Sequence, residues 1–206
     1  MRELLILFCL LAGLSGPAVA IQPEQLVASA RDQVGVTLGY DPAYRQLVYP
    51  GGDVPLATGV CTDVVIRALR AQGLDLQKAV HEDMRRHFRA YPQNWGMTRP
   101  DRNIDHRRVP NLMIWFARQG MALPVGERPA DYLAGDIVAW DLGNGLTHIG
   151  ILSDRRSAGG EPLVLHNIGR GTREEDILFR FKIIGHYRFP AVQAASEAVE
   201  STGSRP

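Results

Sequence analysis

The chemistry-bearing side chains are Cys61, in "TGVCTDVVIRALRAQG", and His148 and His166, in the runs "LTHIGILS" and "LVLHNI". A cysteine that attacks a carbonyl needs a lowered pKa, a base to take its proton and donors for the oxyanion that forms. After Cys61 the apolar positions Val64, Val65, Ala68 and Leu69 recur at helical spacing, and Gly73 supplies a stop. A cysteine in the first turn of a helix meets unpaired N–H groups and about half a positive charge, which favour thiolate over thiol. Six histidines are available as the base. His81 and His87 lie among Arg85, Arg86 and Arg89 and read as exposed; "HEDMR" opens like the H-E-x-x-H zinc motif, but position 85 is Arg. His148 and His166 stand eighteen residues apart on neighbouring strand-like runs, the distance for a hairpin that sets them side by side as a base and its orienter. The same spacing fits two buried structural histidines.

The redox context sharpens the question about Cys61. The opening "MRELLILFCLLAGLSGPAVA" has Arg2, an apolar run from Leu4 to Leu14, a Gly-Pro break and a small-x-small site at Ala18-Val19-Ala20, which reads as a secretory signal peptide over residues 1–20. The run is too short for a bilayer span, which needs about 20 apolar residues. Cys9 leaves with that peptide, so the expected exported protein, periplasmic or secreted, keeps Cys61 alone. A lone cysteine outside the cytosol forms no disulfide within its chain and is either buried and inert or retained for reactivity.

The elements that must position these residues are helices first and strands second. "PEQLVASARDQVGVTL" sets Leu26, Val27, Ala30 and Val34 at helical spacing, and "DLQKAVHEDMRRHFRAY" does so with Leu76, Val80, Met84 and Phe88. "VPNLMIWFARQG" is apolar almost all round and reads as a core helix opened by Pro110. From there "GDIVAWDL", "THIGILSD", "PLVLHNIG" and "ILFRFKIIGHYRF" are β-branched or aromatic runs separated by glycines. The expected class is α+β, helices packed on an antiparallel sheet, in one domain over residues 21–190 with a solvated tail over 191–206. The 206 residues carry 45% apolar side chains and a net charge of +1, enough for one core and no global reason to expect nucleic acid.

The order "YPGGDVPLATGVCTDVV", "LAGDIVAWD", "LTHIGILSD", "LVLHNIG" resembles the NlpC-type cysteine peptidases of bacterial cell walls, a branch of the papain-like superfamily, over residues 44 to 168. The chain departs from that pattern with "CTD" for Cys-Ser-Gly, "AGD" for Pro-Gly-Asp and an arginine-rich insertion over residues 89–120, which marks a divergent family. The resemblance implies a papain-like NlpC-type fold and no cofactor. It implies Cys61 as nucleophile, His148 as base, His166 as orienter with Asn167 as the alternative, and Tyr49 near the oxyanion site. Gly135 and Asp136 match a structural turn, and Asp63 stands unexplained beside the thiol. The implied substrate is an amide bond in peptidoglycan peptide. Two other readings stand beside hydrolysis: a non-catalytic wall-binding module of the same fold, and a zinc site on Cys61, His148 and His166. The seven arginines from Arg85 to Arg108 fit either a solvated loop or a wall that pairs with carboxylates. Trp95 and Trp115 read as packing residues.

Overall fold

A computed structural model describes residues 20–190; the signal-peptide and tail expectations fall outside the described residues. The helices are α1 (Pro23–Arg31), α2 (Cys61–Arg70), α3 (Leu76–His87) and α4 (Val109–Arg118). The strands are β1 (Gly39–Tyr40), β2 (Thr58–Gly59), β3 (Ile137–Gly143), β4 (Leu146–Arg156), β5 (Pro162–His166), β6 (Arg173–Glu175) and β7 (Lys182–Tyr187). The last five form one antiparallel sheet in the order β6-β5-β4-β3-β7, and β1 and β2 make a two-residue parallel pair. The class is α+β. Among the described residues no helix is long and apolar enough to cross a membrane.

The sheet has two buried faces. On one, Ile137, Ala139, Ile149, Ile151 and Leu165 pack against Leu26 and Ala30 of α1, Val64, Val65 and Ala68 of α2, and Leu112 and Phe116 of α4. On the other, Val138, Trp140, Leu152 and Val164 pack with Tyr132, Ile177 and Leu178. That second layer explains why the strands read as continuous apolar runs rather than alternating ones. Each fully buried Leu, Ile or Val is worth roughly 1.5–3 kcal/mol against exposure. Trp140 lies wholly inside, and its indole N–H, costly to bury unpaired, donates to the Leu178 carbonyl at 2.8 Å.

Local chemistry sets the element ends. α1 stops at Arg31, one turn earlier than its apolar spacing predicts, and Val34 is left 42% exposed in the following turn. α2 begins where the Asp63 carboxylate takes the Val60 N–H at 2.6 Å, half of a capping box. α3 is capped by Asp75, which accepts from the Gln77 N–H at 3.0 Å. Phe88 falls in a short 3-10 turn after α3 rather than in the helix. The segment "ILFRF" is not strand: Ile177 and Leu178 turn inward under the sheet, and β7 starts at Lys182. In β4 only glycine fits at Gly150, because a Cβ there would meet Val164 Cγ1 at 2.7 Å and the Leu165 carbonyl at 3.0 Å.

Candidate active site

Cys61 sits at the first residue of α2, 4% exposed, where its sulfur faces the N–H groups of Ile149, Thr62 and Cys61 itself. These donors favour the thiolate, yet burial outweighs them and the Asp63 charge adds to its effect, so the thiol is pushed up to about 12. The helix terminus alone does not produce the lowered pKa expected from its position, and the resting side chain is a thiol.

His148, on β4, pairs across the sheet with Trp140 of β3, and the two rings lie 5.7 Å apart. Its Nε2 meets His166 Nδ1 on β5 at 3.0 Å, and His166 Nε2 meets a Glu175 carboxylate oxygen on β6 at 3.1 Å. Both rings are almost wholly buried, while Glu175 is 40% exposed. Burial pushes His148 down to about 3, helped by the neighbouring His166. Burial also lowers His166, against the pull of Glu175. Both rings are therefore neutral at neutral pH.

The chain of partners then fixes the tautomers. An ionised carboxylate only accepts, so His166 donates through Nε2–H and presents a bare Nδ1. His148 must donate to that Nδ1 through Nε2–H, which leaves its own Nδ1 as a lone pair. That Nδ1 makes no hydrogen bond among the described residues.

Strand alternation separates the two halves of the site. His148 belongs to the Trp140 side of the sheet, whereas its neighbour Ile149 packs on the helix side in the same cluster as Cys61. Cys61 and His148 thus approach the same stretch of β4, the sulfur at the Ile149 N–H and the ring on the Trp140 side, and no hydrogen bond joins them in the structure. Nor is a zinc set assembled: among the described residues, no three His, Cys, Asp or Glu side chains are grouped to hold a metal ion.

Two expected site residues lie elsewhere. Asn167 faces the helix side, where its amide donates to the carbonyls of Gly39 and Gly59, both at 3.1 Å; it clamps β1 and β2 in front of Cys61 and does not orient His148. Asn167 follows the last residue of β5, and continuing the strand's alternation points His166 one way and Asn167 the other. Tyr49 packs edge-on against His81 with ring centroids 5.4 Å apart, outside the cavity that contains Cys61. The tyrosine in that cavity is Tyr40 of β1, kept protonated because burial and the nearby Cys61 and Asp63 push it up to about 12.

Asp63 and the arginine-rich segment explain each other. Arg107 donates to both Asp63 oxygens, at 3.0 and 2.9 Å, with each side chain almost fully buried. Thr62 donates its hydroxyl to the Arg107 carbonyl at 3.1 Å. The "TD" after Cys61 therefore fastens the segment before α4 to the start of α2, and that segment walls a cavity of about 250 Å³ beside the thiol. Trp115 is buried against Phe116, as expected of a packing residue, but Trp95 is 59% exposed and lines the cavity. Asp136 is structural: it accepts from His186 at 2.7 Å and from Arg188 at 2.6 and 2.7 Å, entirely buried.

Residues 27–189, which hold every part of this site, match the family described as Domain of unknown function (DUF1287), and the chain belongs to that family. It is 57% identical over 184 residues to the uncharacterized protein YijF of Escherichia coli (strain K12), covering 85% of this chain and 90% of that protein.

Proposed function

We propose that the protein is an exported cysteine hydrolase of the NlpC-like, papain-like type that cleaves an amide bond in peptidoglycan peptide. The observation that carries this reading is the His148–His166–Glu175 chain, which leaves a lone pair on His148 Nδ1 one residue from the backbone N–H that faces the Cys61 sulfur. Thiol and imidazole are both neutral and share no hydrogen bond, so proton transfer would be coupled to attack once substrate draws them together, rather than drawn from a standing ion pair. Catalytic hydrogen bonds are often long in unliganded enzymes and tighten on the substrate. The Cys61 sulfur attacks the carbonyl carbon as its proton passes to His148 Nδ1. The new imidazolium is stabilised through His166 by Glu175, and it then protonates the departing amine. A water that gives its proton to His148 hydrolyses the thioester and restores the thiol. N–H groups at the start of α2, with the Tyr40 hydroxyl in the same cavity, are the donors for the oxyanion.

Digestion of purified peptidoglycan by the wild type and by Cys61→Ala, with products identified by mass, tests this reading. Peptide fragments from the wild type alone support it; no fragment from either removes the substrate. That second outcome favours a binding module that keeps the fold without turnover. The high thiol pKa and the missing Cys61–His148 hydrogen bond speak for that module.

A further inference from the structure

We infer that the cavity beside Cys61 is a carboxylate subsite built on Arg108 and Trp95, so that the preferred substrates carry an acidic group close to the amide under attack. This rests on the hydrolase reading for its substrate, although the anion preference itself does not need turnover.

The cavity lining contains two cations, Arg107 and Arg108, and no acidic side chain. Arg107 is already committed to Asp63 and to the carbonyls of Ala43 and Asp41. Arg108 is not. Its guanidinium carbon lies 4.3 Å from the Trp95 ring centroid, and one Nη meets the Met97 sulfur at 2.6 Å. The nearest carboxylate oxygen, Asp105 Oδ1, stands 3.9 Å away, beyond hydrogen-bond reach. The Nε and second Nη of Arg108 have no partner among the described residues. A guanidinium stacked on its face keeps its edge donors for a planar acceptor, and a carboxylate matches two of them at once. Ile104, Val109, Pro110 and Leu146 supply apolar walls, which raise the weight of a charge whose one carboxylate neighbour, Asp105, pairs with it only at 3.9 Å. Trp95 adopts the left-handed region, at φ 58°, uncommon for a bulky residue.

The thiol reports on this charge, because Cys61 lines the same cavity. The rate constants for alkylation by iodoacetate, an anion, and iodoacetamide, its neutral isostere, are measured on the whole protein. The iodoacetate to iodoacetamide ratio is expected to fall about tenfold in Arg108→Gln and to hold in Arg108→Lys. Equal ratios in wild type and Arg108→Gln overturn the subsite. Should Arg108→Gln fail to fold, the wild-type ratio is followed from about 0.02 to 0.5 M salt, where screening is expected to lower it severalfold. A flat profile is equally fatal. A protein that digests no peptidoglycan but shows the Arg108-dependent ratio loses the hydrolase reading and keeps the anion site. One that digests without any charge preference loses only the subsite.

Discussion

At the residue scale, Glu175 is two rings from the lone pair it controls. Without its carboxylate, nothing compels His166 to carry its proton on Nε2, and the lone pair of His148 is no longer held on Nδ1. If the proposed hydrolase turns over, Glu175→Ala should lower kcat about tenfold or more, part of the ~10²–10⁴ that general base catalysis supplies, with KM little changed. Nitrogen NMR of the two rings should show mixed tautomers, and Glu175→Gln, whose carbonyl still accepts, should recover both. Unchanged tautomers and rate in the Ala variant would remove Glu175 from the relay. The His148–His166 pairing was legible because hairpin spacing is local. Glu175 was not, since "REE" carries no strand signal; it becomes strand only by adding to the free edge of β5. Tyr40 was hidden for a similar reason: a parallel pairing of two residues, Gly39–Tyr40 with Thr58–Gly59, is what brings it to Cys61.

At the element scale, the anchoring of the segment before α4 to α2 depends on one buried ion pair. Removing one partner strands the other charge, so Asp63→Asn or Arg107→Met alone is expected to cost about 3–5 kcal/mol, read by denaturant unfolding. The double variant should recover a good part of that loss, because it buries no orphan charge. Additive losses would mean that the two side chains do not act on each other. The helices were legible from their apolar spacing, and Val64, Val65, Ala68 and Leu69 are indeed the buried face of α2. Their charged partners were not, because Asp63 and Arg107 lie 44 residues apart and no periodicity links a capping carboxylate to a distant loop.

At the scale of the whole molecule, acid tolerance should depend on Asp136. Burial alone would raise this carboxyl, but Arg188 and His186 outweigh it and hold the group below the ordinary carboxylate value of about 3.9. A carboxyl with a depressed folded pKa contributes stability that is fully present above the unfolded value and is lost as pH falls through the folded one. Wild-type stability should therefore drop below about pH 4, while Asp136→Asn should be less stable at pH 7 and show a shallower acid limb. Parallel acid limbs in the two proteins would locate the acid sensitivity elsewhere. The cluster ties the turn before β3 to the end of β7, closing β7 against the sheet.

His166 and Asn167 are consecutive in the chain, yet one joins the proposed relay on the Trp140 face and the other clamps β1 and β2 on the helix face. Deleting a single residue between Pro162 and Leu165 would exchange their directions and disable both functions in one event. Extra residues in the turn from Ser157 to Gly160 would leave the strand register untouched. The same hairpin is thus intolerant of a missing residue along its length and permissive at its tip, a natural place to insert an affinity tag without disturbing either face of the sheet.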